Sequence, residues 1–322
     1  MAESTLSLAF EDLSRSTAFY LGYGEKATTG EGLTSAQSSN VQSAMKAGYR
    51  RFLLAHRWGF LSPRATMTLW DDVSGTTGTI SASTTVTATT SIFHANMIGR
   101  TMTIATVGDR TITAYTSGTS VTVDSAVTAS AKAITMTADG TYRLPDDFGS
   151  MFSTQIMFAV GDDDERFIDL TSEHLVVAAR QRDDGTGRPT IAGLRPLSLP
   201  SGSGQRFDLC VYPVPDDDYS VSFRYNVHPD ALTASQYPYG GMRYAEAMRL
   251  FCEAAAEEKF RNYTRAKRDE CDRVLAQAIQ QDIQTNRSER LGVSAERRYR
   301  RTTARAPGEW VVGATVHGVT YD

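Results

Sequence analysis

An α+β fold is predicted from this sequence: a helical core with a long C-terminal helix, a small mixed β-sheet, and an inserted all-β barrel or sandwich module. Three observations predict it. Apolar residues recur at helical spacing near the N-terminus, and the composition switches abruptly to threonine-rich alternation between residues 73 and 140. The 46 residues from Gly241 to Asn286 contain no proline and no further glycine, which sums to strong helix propensity.

Leu6, Leu8, Phe10, Leu13 and Phe19, with polar residues between them, suit a short amphipathic helix over residues 4–20. A glycine-rich break at Gly22–Gly32 ends it. Thr34 and Gln37 have the form of a capping box, and Val41, Met45, Gly48, Phe52 and Ala55 continue at helical spacing, so a second helix is expected over 35–59. From Val73 to Gly140 there are 19 threonines and six charged residues, in alternating runs such as TMTIATV and SVTVDSAV. Glycines at 99, 108 and 118 punctuate them, so four to six strands are expected. Deleting residues 75–139 is expected to leave the remainder folded.

After this insert, Met151–Val160 reads as a strand and residues 171–182 as a helix. RPTIAGLRPLSL, QRFDLCVYPVP and YSVSFRYNVH read as three further strands, the last two as a hairpin across the turn Pro213–Asp218. Met248, Phe251 and Ala255, then Cys271, Val274, Leu275, Ala278 and Ile279, make one apolar stripe along 241–286. As one helix, or two with a bend near Asn262, this would reach about 69 Å, longer than a compact domain requires. The expected organisation is a discontinuous core of residues 1–72 and 141–286, an inserted β domain of 73–140, and an extended basic tail of 287–322. That tail holds seven arginines and two glutamates between residues 287 and 308.

Composition excludes several classes. The 322 residues carry a formal charge of -4, which lacks the positive excess of a nucleic-acid coat. Cys210, Cys252 and Cys271 are too scattered for a disulfide framework or a zinc ribbon, and point to a reducing compartment. No signal peptide, membrane span or lipidation motif is expected from the sequence.

Chemical motifs are sparse. The runs Asp162–Glu165 and Asp216–Asp218 lack the spacing of a calcium loop, and solvated turns are the plainer reading. His56, His94, His174, His228 and His317 form no metal-ligand pattern, and no cysteine has a neighbouring base. No Walker loop, dinucleotide fingerprint or nucleophile elbow occurs. No catalytic residue, metal ligand or cofactor is therefore assigned. A basic tail with Trp310 beyond its arginines fits a strap docking on an acidic protein partner better than a nucleic-acid contact, because aromatic anchors beside arginines typify protein interfaces.

Two stretches, GYRRFLLAHRWGFLSPRATMTLW at residues 48–70 and YRLPDDFGSM at residues 142–151, resemble head-to-tail adaptor (connector) proteins of tailed phages, which bind below the portal. In such proteins a helical pair leads into a strand, a Tyr-x-Leu-Pro-Asp-Asp-Phe segment re-enters the core, and a long helix precedes an extended tail. The resemblance implies a structural virion protein of the neck, made in the host bacterial cytoplasm, that self-assembles into a dodecameric ring. Its implied partners are the portal protein, a tail or nozzle protein, and genomic DNA passing through the channel without sequence recognition. It implies no enzymatic activity, cofactor or membrane. The implied portal-binding strap comprises Arg287, Arg290, Arg297, Arg298 and Tyr299, followed by Arg300, Arg301, Arg305 and Trp310. Leu275, Ile279 and Ile283 are the expected subunit or portal interface. Two other classes compete: a receptor- or glycan-binding tail protein presenting Phe93 and Tyr115 from the insert, and a hydrolase in which both aspartate runs converge on a metal.

Overall fold

The sequence signals at the N-terminus act locally, and the fold obeys them. Thr34 Oγ1 accepts from the Gln37 amide at 3.2 Å while the Gln37 side chain accepts from the Thr34 amide at 2.9 Å, a reciprocal cap that starts α2 (Ser35–Ala55). The preceding helix α1 is Phe10–Tyr20, shorter at its start than the expected 4–20, and α2 ends at Ala55 rather than at 59. The computed structural model describes residues 6–26, 32–159, 167–197, 204–233, 236–260 and 266–285, with backbone alone at 314–316 and 319–321.

Strands dominate beyond α2. After β1 (Arg64–Leu69) the threonine-rich insert forms β2 (Val73–Thr76), β3 (Ile80–Thr87), β4 (Thr101–Ile104), β5 (Gly108–Ser117), β6 (Ser120–Ala129) and β7 (Ala133–Met136). The chain then makes β8 (Thr141–Arg143), β9 (Phe148–Met151), β10 (Gln155–Phe158) and β11 (Phe167–Ser172). It continues through α3 (Glu173–Arg182), β12 (Ile191–Leu197), β13 (Arg206–Tyr212) and β14 (Tyr219–Val227). Helices α4 (Met242–Phe260) and α5 (Ala266–Thr285) come next, and β15 (Ala314–Val316) pairs with β16 (Val319–Tyr321).

The six insert strands form one antiparallel sheet in the order β2-β7-β4-β5-β6-β3. It curls until its edges meet: Thr77 and Ala88 bridge, and the Thr89 amide donates to Thr76 O at 2.8 Å, so the sheet is nearly a barrel. Alternation fills it. Val121, Val123, Val127 and Ala129 of β6 point inward with Met102, Ile104, Ile112 and Ile134, all buried. The second sheet runs β1-β14-β10-β11-β12-β13-β8, with β9 also on β14. It too curls, because Trp70, just past edge strand β1, meets Tyr142 of the opposite edge: their rings lie 5.4 Å apart, and the Tyr142 hydroxyl donates to Trp70 O at 2.7 Å. β11 and β12 are its parallel pair, joined over the top by α3, as parallel neighbours require.

These observations correct the α+β expectation of a helical core. The largest buried cluster lines the two sheets and runs continuously from Val121 in the insert to Phe223 and Val227 in β14. The helices form a smaller cluster around Leu13, Val41, Met45 and Cys252. Beside it, Phe52 stacks on Trp58 at 4.6 Å and meets Phe251 edge-on at 5.7 Å. Short strands with one or two buried side chains each contribute little periodicity, so the sequence over-weights helices. Among the described residues the protein is mostly β, with fourteen strands in two curled sheets and five α-helices.

Of the two forms expected for 241–286, the single long helix is corrected and the pair is found, α4 ending at Phe260 and α5 beginning at Ala266. Lys267 Nζ sits 3.0 Å from Glu253 Oε2, whereas fourteen residues along a continuous helix would separate them by about 21 Å. The start of α5 therefore returns to α4. Glu253, almost fully buried, takes a hydrogen bond from Ser16 of α1 at 2.7 Å and pairs with Arg249, so one carboxylate ties three helices. The expected hairpin across Pro213–Asp218 does not form: β13 pairs with β12 and β8, while β14 pairs with β1, β10 and β9. The single strand expected at 151–160 is two, β9 and β10.

Contacts divide the chain into two compact units, Met1–Val274 and Leu275–Asp322. The second holds the later turns of α5 and the β15–β16 pair.

Candidate functional site

The densest polar constellation lies where the insert joins the main sheet. Asp208 sits on β13, directly between Arg195 of β12 and Arg143 of β8 in cross-strand register. It is 1% exposed, and a buried carboxylate must find partners. Arg143 Nε donates to Asp208 Oδ1 at 3.1 Å, and Arg195 Nη2 donates to Oδ2 at 3.1 Å. A third guanidinium enters from the insert: Arg100, one residue before β4, donates to Oδ2 at 2.6 Å and pairs with Asp139 at 3.3 Å. Gly99 has φ +85, and a Cβ there would stand 3.1 Å from the Arg143 guanidinium, so glycine keeps this approach open. Burial works against the charged Arg195, but its hydrogen bond to Asp208 prevails and raises its pKa. Three cations on one buried anion make a clamp between insert and sheet.

The second feature is an uncovered part of the main sheet. Alternation along β14 buries Val221, Phe223, Tyr225 and Val227 and turns Ser220, Ser222 and Arg224 outward. Met157 of β10 opposes Ser222 on one side and Phe167 of β11 on the other. Met157 is 58% exposed and Phe167 45%, an apolar pair on an outer face. α3 covers the neighbouring strands instead: a Cβ on Gly193 of β12 would meet Glu173 Cα at 2.7 Å. Five aspartates border the sheet end next to the pair. Asp71 and Asp72 lie just beyond β1, and Asp216, Asp217 and Asp218 precede β14, with the Asp71 amide donating to Asp218 Oδ1 at 3.1 Å. Arg188, over the Phe158 ring at 4.1 Å, is a cation at the same end.

A cleft of about 280 Å³ lies between α2, α4 and the start of α5, lined by Arg51, Phe251, Ala254, Glu258, Arg268, Cys271 and Asp272. Arg51 pairs with Glu258 across it, which holds Glu258 below the usual carboxylate range. All three cysteines are buried, and burial pushes the Cys252 and Cys271 thiols up to about 12. They stay protonated at neutral pH.

The sequence-predicted site residues scatter. Arg287, Arg290, Arg297, Arg298, Tyr299, Arg300, Arg301, Arg305 and Trp310 lie outside the described residues, as do Asp162–Glu165 and His317. On α5, Leu275 and Ile279 are half-buried and Ile283 is 51% exposed, while Ala278 and Asp282 are buried. Asp216 and Asp217 form turn contacts, the first accepting from the Tyr219 hydroxyl at 2.7 Å. Of the insert aromatics Phe93 is buried and Tyr115 37% exposed. His56 ends α2, edge-on to Trp58, and His94 precedes a short 3-10 turn.

Sequence reasoning missed Asp208 and its arginines, although a signal was present: an aspartate inside the apolar run RFDLCVY demands burial with a partner. Met157 and Phe167 carried no such mark. Among the described residues no group of three or more His, Cys, Asp or Glu side chains could hold a metal ion, and no helix is long and apolar enough to cross a membrane. No family model matches the chain, and no curated protein matches it.

Proposed function

We propose that this chain is a structural virion subunit, a head-to-tail adaptor that assembles as a ring between portal and tail and continues the DNA channel. The observation that carries the reading is exposed apolar surface on two different faces of one unit. Phe19 of α1 and Leu54 of α2 are 64% and 75% exposed on the helices, and the Met157–Phe167 pair is exposed on the sheet. Head-to-tail contacts close a ring only when each subunit offers two unlike patches. Contiguous apolar surface left in water is a mark of sites that another molecule covers.

The partners under this reading are further copies of the chain, the portal protein and a tail or nozzle protein, with the C-terminal arginine strap reaching an acidic protein surface. Ile283, exposed on α5, is available to a partner. Glycan or receptor binding through the insert is less well supported, since burial of Phe93 leaves Tyr115 as the exposed aromatic among the insert's described residues. Mass photometry and negative-stain microscopy of the full chain, with and without a tailed-phage portal protein, test the reading. Rings that dock on the portal are expected. A chain that stays monomeric and ignores the portal removes it.

A further inference from the structure

We infer that the uncovered Met157–Phe167 face, with its aspartate border, is the docking surface for the arginine- and tryptophan-bearing C-terminal segment of a second copy of this chain. The inference rests on the ring reading and identifies one of its lateral contacts.

Charge complementarity is the first support. Residues 287–308 carry seven arginines against two glutamates, so the rest of the chain, from a total of -4, carries -9. Asp71, Asp72, Asp216, Asp217 and Asp218 concentrate part of that negative charge at one sheet end, against Arg188. Guanidinium groups steer to such a border over about a Debye length. Spacing is the second support. Met157 opposes Ser222, and Asp218 lies four residues before Ser222, so the acidic border stands about 13 Å from the apolar pair. In the strap, Trp310 lies five residues beyond Arg305, a reach of about 17 Å when extended. An indole on Met157 and Phe167 therefore puts Arg305 and the arginines before it at the aspartates.

The length of chain involved is the third support. Residues 286–313 carry the charge and the tryptophan between α5 and β15, a stretch of 28 residues that would span up to about 90 Å if extended. The two patches are complementary to each other and not to themselves, which is the condition for head-to-tail association.

The test uses full-length chains. In the face variant, Met157→Lys with Phe167→Thr, both positions are exposed, so folding is kept, as far-UV circular dichroism and melting will verify. In the strap variant, Arg297, Arg298, Arg300 and Arg301 are changed to Glu and Trp310 to Ala. Sedimentation velocity at low and physiological ionic strength is expected to show self-association of the wild type that weakens with salt, and at least about tenfold weaker association for each variant. Mixing the two variants is expected to yield one 1:1 complex, because each retains the half that the other lacks. Asp217→Lys, which changes one border aspartate, is expected to weaken association in the same direction. A wild type that stays monomeric while the mixture pairs would place the strap on its own chain and overturn the inference. Association that survives both variants also overturns it, and leaves the ring reading standing on other faces. A wild type that neither self-associates nor joins the portal removes the ring reading itself.

Discussion

Replacing Asp208 with asparagine is the sharpest test of the clamp between insert and main sheet. The side chain keeps its shape and loses its charge, so packing is preserved while three guanidiniums face a neutral amide. The substituted amide retains one acceptor oxygen, and its nitrogen would point donor against donor toward one arginine. With the oxygen in the Oδ2 position, the bonds from Arg100 at 2.6 Å and Arg195 at 3.1 Å persist on a neutral acceptor, and the bond from Arg143 at 3.1 Å is lost outright. Each is worth about 1.5–3 kcal/mol when fully desolvated. Arg195 is 37% exposed and regains water, whereas Arg100 and Arg143 are 14% and 15% exposed and regain little. The loss should come to about 3–5 kcal/mol, the range for breaking a buried ion pair from one side.

Arg100→Met provides the contrast. It removes the insert's contribution and leaves Asp208 with two arginines, so about 1–2 kcal/mol is expected. Urea unfolding followed by tryptophan emission measures both, with the midpoint compared at constant slope. Trp70 reports on the seam itself, since it packs on Tyr142 at the point where the sheet edges meet. The double variant should cost less than the sum of the singles by about 1–3 kcal/mol, because both act on one network. A loss below about 1 kcal/mol for Asp208→Asn, or a larger loss for Arg100→Met than for Asp208→Asn, would refute the reasoning that burial of the carboxylate dominates.

Gly48→Ala should destabilise by about 1–3 kcal/mol despite alanine's better helix propensity, because its Cβ would stand 2.5 Å from Cys252 Cα and the Phe251 carbonyl; thermal unfolding will show the direction. Cys252 and Cys271 rise from 9.0 to about 12 and Tyr49 from 10.0 to about 12, so the unfolded chain releases protons that the folded chain keeps. Stability is expected to be full below pH 9 and to fall as pH climbs toward 12, by about 1.4 kcal/mol per unit for each titrating group, with Cys252→Ala flattening the decline. Ile283→Asp, at an exposed position, should leave circular dichroism unchanged and weaken ring assembly, which mass photometry reads. Deleting residues 75–139 removes Arg100 and the insert's share of the buried cluster that holds Trp70 and Tyr142, so the urea midpoint should fall rather than stay at the wild-type value.

The features legible in the sequence are those that local chemistry decides. The Thr34–Gln37 cap needs only four residues to specify itself, and it starts α2 at Ser35. The insert was legible because β4, β6 and β7 bury alternate residues and the whole segment is rich in threonine and poor in charge, enough for a period of two to emerge. β9 and β10 have four residues apiece and merge into one expected strand, because runs that short show little periodicity. Strand order was out of reach altogether. YSVSFRYNV reads as a strand on any periodicity argument, yet its neighbours β1, β10 and β9 come from distant parts of the chain, and the turn before it joins strands that do not pair.

The site residues divide along the same line. Asp208 was recoverable because a charge inside an apolar strand has few tolerable environments, and the partners it requires must be cations. Met157 and Phe167 were not, because an apolar residue in a strand reads as core whichever face it takes. Their exposure goes with the path of α3, which crosses after β11 and packs chiefly on β12 and β13, leaving Met157 and Phe167 uncovered. Had α3 lain one strand over, the same two side chains would be buried, and the parallel β11–β12 pairing that sends it across is a tertiary choice. Surface available to a partner is thus set by where a crossover helix lands, and a sequence shows it only after the strand order is known.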